Sequence, residues 1–286
     1  MIVDKLRAFG LVGLLLITAG CAINVVQPGP TETLNETVEL NGAERVNLRI
    51  RPALQELTLR GGAEDLLAGE FTYNLEQLEP VISYTVEDGV GELEIGPRNE
   101  NVNTIPIGNV VSEWNLQLNE ETPLAVDLGL GLGDSNLDFS DLTLTELDIE
   151  AGAGEVQANV GRQDLDRLHF QAGLGDVDLQ LGGGRLDDLD FEAGAGDVTI
   201  DLTGDWESDL DGRIEGGLGE INLTLPAEVG VRVEVERGLG DVNAPDLREE
   251  EENVYVNAAY GKAPVTLDLM IEQAAGDVTL AVAELR

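Results

Sequence analysis

Residues 170–203, FQAGLGDVDLQLGGGRLDDLDFEAGAGDVTIDLT, carry the pattern that decides the fold. Two copies of Gly-x-Gly-Asp stand in it, at 173–176 and 194–197. Each is followed by alternation: Val177, Leu179 and Leu181 against Asp178 and Gln180, then Val198, Ile200 and Leu202 against Thr199 and Asp201. A period of two means a β-strand with one face buried. The same unit recurs at Gly131–Asp134, Gly152–Glu155, Gly217–Glu220, Gly238–Asp241 and Ala274–Asp277. Its acids, Asp134, Glu155, Asp176, Asp197, Glu220, Asp241 and Asp277, are spaced 21, 21, 21, 23, 21 and 36 residues apart. The last interval reads as one period plus a 15-residue insertion at 244–265.

Six residues before each repeated acid from Glu155 onward stands a large apolar side chain: Ile149, Phe170, Phe191, Ile214, Val235 or Ile271. A second turn falls about six residues after the acid, as at Gly161 or Gly182. Each unit therefore holds two strands, of about seven residues each at ~3.3 Å per residue. One such unit cannot bury its apolar face alone; stacked units can. Stacking in chain order places Leu137, Ala158, Leu179, Ile200, Leu223, Ala244 and Leu280 in one interior column. The reading is an all-β, single-stranded β-solenoid-like stack of ~21-residue, two-strand coils. Residues 126–286 form its regular part and 35–125 a less regular N-terminal β part, in which Gly89-Val90-Gly91-Glu92 is read as a further copy of the turn and 96–110 as a loop.

The N-terminus is an address. Lys5 and Arg7 precede the apolar run 8–19, AFGLVGLLLITA, and Gly20-Cys21 follows. About twelve apolar residues are short of a ~20-residue span and suit a signal peptide. Ile17-Thr18-Ala19-Gly20-Cys21 resembles a bacterial lipobox, and Cys21 is the only cysteine in the chain. The expectation is a lipoprotein signal over 1–20, lipidation of Cys21, and a short tether over 21–34. The protein is then held on the extracytoplasmic face of the cell membrane by its lipid.

Composition excludes several classes. Against 56 Asp+Glu there are 16 Lys+Arg, for a net charge of −40, so a nucleic-acid binder is ruled out. A lone cysteine allows no internal disulfide framework. The Gly-rich turns lead into strands and place a carboxylate where a phosphate would sit, so they are not phosphate cradles.

The column of repeated acids poses its own question. Like charges on rungs ~4.8 Å apart repel by about 0.9 kcal/mol in bulk water. The expected remedy is that each carboxylate caps its own turn by accepting backbone N–H bonds. The alternative is a set of weak cation sites, with Ca²⁺ the fitting ion; a 21-residue period with one acid per coil does not match the nonapeptide Ca²⁺ roll. No other cofactor and no other metal is expected. His169 lies between Leu168 and Phe170, so alternation points it outward, beside Asp148 and Asp190 of the neighbouring coils. It has no second His or Cys to complete a zinc site and no Gly-x-Ser-x-Gly segment to serve. A carbohydrate-active β-helix enzyme would want sugar-stacking aromatics, for which the candidates are Trp114, Trp206, Tyr255 and Tyr260. The acidic run Glu249–Glu252 reads as a solvated loop or an interaction loop.

Four further stretches, LLAGEFTYN, PVISYTVEDGVGELEI, EWNLQLNEETPLAVDLGLGLGD and YVNAAYGKAPVTL, resemble the toast-rack family of bacterial envelope proteins over about 35–286. That family is related to LiaF-like cell-wall-active-antibiotic response proteins and similar to adhesin-like β-solenoids. The resemblance implies a stacked β-fold outside the membrane and no catalytic residues. It departs at Arg51-Pro52-Ala53-Leu54, where the pattern has a Gly-rich turn, and in lacking the transmembrane helices of LiaF-like proteins. The expected function is a non-enzymatic, lipid-anchored envelope protein whose rigid acidic surface serves envelope-stress sensing or surface interaction, with an envelope protein or surface ligand as partner. A Ca²⁺-binding adhesin-like solenoid and a carbohydrate-active enzyme are the alternatives.

Overall fold

A computed structural model describes residues 24–54, 56–99, 104–106 and 108–283. The lipobox and Cys21 lie outside the described residues. Two parallel ladders face each other across one continuous apolar core. Each of the seven rungs with a repeated acid contributes a strand to the first face, turns at Gly/Ala-x-Gly-Asp/Glu, and contributes a strand to the second face. Leu124–Leu132 and Ser135–Asp138 form the Asp134 rung. Val156–Leu174 and Val177–Ala195 each run from the second face of one rung into the first face of the next. The second turn in these two is thus a bend within a bonded strand, with register shifts around Gly161. The two faces are unequal, with ten residues in Leu144–Ala153 but four in Ser135–Asp138 and in Val198–Asp201, rather than about seven in each.

Side chains that alternate inward line up from rung to rung. On the first face the column runs Ile95, Ile50, Leu128, Ile149, Phe170, Phe191, Ile214, Ile271, Val235. Phe170 and Phe191 stack with ring centroids 5.1 Å apart. On the second face the column is Leu116, Leu59, Leu137, Ala158, Leu179, Ile200, Leu223, Leu280. Truncating one of the buried leucines to Ala should cost about 2–5 kcal/mol, because the stacked neighbours cannot close the gap.

Chain order and spatial order part at both ends. Thr266–Ala275 and Val278–Ala283, the Asp277 rung, lie between the Glu220 rung and the Asp241 rung. The expected order is therefore corrected: Leu280, not Ala244, follows Leu223, and residues 244–265 are the path by which the chain returns to fill a skipped slot. The reason is legible in the strands. Thr266–Ala275 and Val278–Ala283 are apolar enough to be paired on both sides. The Asp241 rung carries Arg232, Glu234, Glu236 and Arg237, and has a two-residue second strand, Val242–Asn243, that ends before Pro245. Charge and proline suit an edge. The hairpin of Arg248–Glu251 and Val254–Val256 then covers the open edge of Gly230–Leu239 in antiparallel pairing. It buries Val254 and Val256 and leaves the acidic run exposed.

The N-terminal end repeats the device. The rung of Arg45–Ile50 and Glu56–Gly61 is sandwiched between the Asp134 rung and an outer rung of Val90–Pro97 and Ser112–Leu118. Pro80–Glu87 pairs antiparallel onto Val90–Pro97, Leu67–Tyr73 onto Ser112–Leu118, and Glu32–Val38 onto Leu67–Tyr73. Gly91-Glu92 lies inside a strand and is not a copy of the corner. The turn here is the two-residue hairpin Asp88-Gly89, with φ 49° and 79°, an Asp-Gly signal for a type I′ turn. The stretch read as tether is bonded from Glu32 onward, and Asn24–Val26 pairs with Thr104–Pro106 inside the segment read as a loop.

Candidate functional site

The Gly-x-Gly-Asp/Glu corner repeats in register from rung to rung of the stack. Its second glycine takes φ between 130° and 143° at Gly133, Gly154, Gly175, Gly196, Gly219, Gly240 and Gly276. A Cβ at Gly175 would overlap the Gly154 carbonyl oxygen on the next rung. Glycine is thus required twice over, by the left-handed backbone and by the close stacking. The ladder continues straight through: Gly154 N–H donates to Leu174 O, and Gly175 N–H to Ala195 O, both at 2.9 Å.

The seven acids are all exposed, and among the described residues their carboxylates accept no backbone N–H of their own turns. Asp134 Oδ1 accepts the backbone N–H of Glu155, Asp176 that of Asp197, Asp197 that of Glu220, and Asp277 that of Asp241, each at 2.9 Å. The cap passes from one rung to the next. These charge-assisted bonds offset the repulsion down the column. Glu155 and Glu220, one methylene longer, make no such bond among the described residues; Glu155 instead accepts from Gln157 Nε2 at 2.7 Å. Own-turn caps do occur, but at the opposite corner. There Asp138 accepts from Ser140 N–H, Asn159 from Gly161 N–H, Asp201 from Thr203 N–H and Asn119 from Glu121 N–H, each over two residues. Asp138, Asn159 and Asp201 share one register line before the second turn, which was the available signal; Gln180 and Thr224 take that place on the rungs between and after them.

The corner also carries an apolar ridge. The residue between the two glycines runs, in spatial order, Leu132, Ala153, Leu174, Ala195, Leu218, Ala275, Leu239. The leucines are 55%, 61%, 61% and 74% exposed; with Val81 they make up the exposed large hydrophobics among the described residues. Beside the ridge runs a shallow trough of about 650 Å³, floored by Ala172, Ala193, Gly194 and Gly217 and walled by Gln171, Glu192, Glu215, Glu236 and Glu272. Glu215 and Glu272 share the Arg213 guanidinium, at 2.5 and 2.7 Å, and these carboxylates hold Arg213 above its ordinary pKa.

The other candidates fall into place individually. His169 Nδ1 lies 3.2 Å from Asp190 Oδ2, which Arg167 also contacts at 2.8 Å; Asp148 is its register partner on the other side. Trp114 and Trp206 are core residues, 1% and 5% exposed, so neither is a sugar-stacking platform. Trp206 Nε1 donates to Leu202 O at 2.8 Å. Among the described residues no group of three or more His, Cys, Asp or Glu is placed to hold a metal ion. In the rung that departs from the motif, Arg51 replaces the corner's glycine chemistry. Its guanidinium contacts Asp127 Oδ1 at 2.5 Å and the Asp127 carbonyl at 3.0 Å, packing over Gly129. Burial raises the Asp127 carboxyl pKa, but hydrogen bonds from Arg51 and Arg49 outweigh it and hold the group below its ordinary value.

Parallel rungs around a packed core, with a repeated corner on one side, define a β-solenoid-like fold. The family model for the N-terminal domain of toast_rack (DUF2154) matches residues 27–168 and 165–224, and the chain belongs to that family. A crystal structure of a candidate cell adhesion protein from Clostridium sporogenes is 29% identical and covers 89% of this chain and 100% of its own, with a TM-score of 0.50. A candidate lipid binding protein from Parabacteroides distasonis is 13% identical over 89% of this chain and 99% of its own, at a TM-score of 0.39. A candidate adhesin from Bacteroides fragilis is 11% identical over the same shares, at 0.34. No curated protein matches the chain. Among the described residues no helix is long and apolar enough to cross a membrane.

Proposed function

We propose that this protein is a non-enzymatic surface-display module, anchored by a lipid on Cys21 and exposed on the extracytoplasmic face, that binds a partner along its length. The observation that carries the reading is the corner, which repeats a left-handed glycine followed by an exposed acid on all seven rungs from Asp134 to Asp241. A solenoid offers an extended binding surface of this kind, whereas an enzyme concentrates its polar groups in one cleft. Membership of the toast-rack family and likeness to the candidate cell adhesion protein support the same reading. Surface interaction is the primary role, and envelope-stress sensing is a use to which the same surface lends itself.

Two measurements test this. Radiolabelled palmitate should enter the wild-type protein and not Cys21→Ser, and the variant should leave the membrane fraction; a variant still sedimenting with membranes would defeat the anchor. For the calcium alternative, melting of the full chain is compared in millimolar Ca²⁺ and in EDTA. An unchanged Tm is expected, and a rise of several degrees would replace the display reading with a cation-dependent solenoid.

A further inference from the structure

Leu and Ala alternate along the ridge in space, though not in chain order. In chain order the ridge residues read Leu132, Ala153, Leu174, Ala195, Leu218, Leu239, Ala275, and the alternation fails at the end. Because the Asp277 rung sits inside the Asp241 rung, the spatial sequence alternates without a break. The result is a row of exposed leucines at every second rung, ~9.6 Å apart, over roughly 29 Å. Core packing does not require this row, since its leucines are more than half exposed.

Acidic columns flank the ridge on both sides. Three residues before it, toward the trough, stand in spatial order Gly129, Glu150, Gln171, Glu192, Glu215, Glu272 and Glu236, acidic on five of the seven rungs; two residues after it stand the corner acids. Two cations reach this surface: Arg213, already shared between Glu215 and Glu272, and Arg237, which lines the trough and donates to Gly240 O at 2.8 Å. An apolar line between two negative lines, beside a trough floored by Ala and Gly that lets a backbone come close, calls for a matching shape. A β-strand repeats each face every ~6.7 Å and does not fit the leucine spacing. An α-helix repeats its heptad positions every ~10.5 Å and does.

From this geometry we infer that the ridge and trough bind a cationic amphipathic helix of a partner polypeptide. The partner's apolar stripe packs between the leucines, and the Lys or Arg residues on either side of the stripe reach the two acidic columns. This deepens the display reading and rests on it. A second copy of this chain would bring acidic columns against acidic columns, and an anionic membrane surface would be repelled in the same way.

The probe is a fluorescently labelled, amidated 21-residue peptide of Leu and Lys, with Leu on a heptad stripe and Lys on both flanks. A scrambled peptide of the same composition is the control. Both are titrated by anisotropy against the full chain in neutral phosphatidylcholine nanodiscs. The striped peptide should bind at least tenfold more tightly than the scramble and gain helical circular dichroism on binding. The variant Leu132→Ser/Leu174→Ser/Leu218→Ser/Leu239→Ser, which changes exposed side chains and keeps the wild-type melting curve, should bind both peptides alike. Glu192→Gln/Glu215→Gln/Glu272→Gln should weaken the striped peptide several-fold and flatten its salt dependence. Equal binding of the two peptides to wild type, or an undiminished preference in the Ser variant, would overturn the inference. So would a concentration-dependent dimer that disappears in the Ser variant, which would assign the ridge to self-association. The nanodisc supplies a membrane whether or not Cys21 is lipidated, so failure here is distinct from failure of the anchor.

Discussion

The two corners of each rung solve the same problem in opposite ways. At the Gly-x-Gly-Asp corner the cap is borrowed from the neighbour: Asp176 holds the backbone of Asp197, and Asp197 that of Glu220. At the other corner Asp138, Asn159 and Asp201 cap the turns they begin. A corner whose bonds run between rungs keeps one length in all of them. A corner whose bonds stay within a rung is free to vary. The variation is found there: the two extra residues in the 23-residue spacing fall beyond Asp201, where Trp206 folds back onto Leu202, and the chain skips a slot past Pro226 on its way to Gly230–Leu239.

The largest expected effect tests that division of labour. A Gly-Ser insertion between Thr203 and Gly204, where this rung already carries two extra residues and both ladders stay bonded, should cost only about 1–2 kcal/mol. The same insertion between Gly175 and Asp176 should cost about 4 kcal/mol or more, since it breaks ladder and cap together. Urea midpoints measure both, and similar losses would show that the corners are equivalent. Gly175→Ala should approach the larger figure for steric reasons alone.

A smaller effect sharpens the rung-to-rung cap. Asp197→Ala removes a charge-assisted bond and should destabilise by about 1–2 kcal/mol. Glu155→Asp should do the reverse: the shorter side chain can accept the Asp176 N–H and add about 0.5–1 kcal/mol. Thermal melts decide the matter, and a destabilised Glu155→Asp would mean that the column's repulsion outweighs the bond.

The smallest effect concerns the rung that lacks the motif. There Arg51 and Asp127 tie adjacent rungs in place of the glycine corner. Both side chains are about a third exposed, so Asp127→Asn should cost only about 1 kcal/mol, or a few degrees in Tm. Because the folded-state pKa of Asp127 is depressed, its contribution is complete above the unfolded value of ~3.9 and is lost as pH falls through the folded value. The gap between wild type and Asp127→Asn should therefore be constant near neutrality and close below about pH 4. A gap that persists when the carboxyl is protonated would assign the effect to packing of the Arg51 stem.

Much of this was legible from residues. The alternation after Asp176 and Asp197 gave the inward column, and the positions of Phe170, Phe191 and Ile214 followed. Asp148 and Asp190 were rightly placed beside His169, because parallel in-register stacking follows directly from a constant period. The candidate site was legible only in part. The corner acids stood out, but whether a carboxylate turns to its own backbone or to the next rung depends on the height of the neighbouring N–H, which spacing does not encode. The ridge was hidden because the residue between two glycines looks like turn filler, and its Leu–Ala alternation is broken in chain order.

What the sequence determined by itself is the rung: strand faces, glycine corner and the width of the apolar core. These depend on alternation and backbone conformation, which act between residues close along the chain. What only the tertiary structure decided is the order of rungs at the ends, and with it the unbroken ridge and the partners of each cap. Rungs of the same register are locally interchangeable. Their order is settled by which of them must be paired on both sides and which can end the stack with charges, a proline and an antiparallel hairpin.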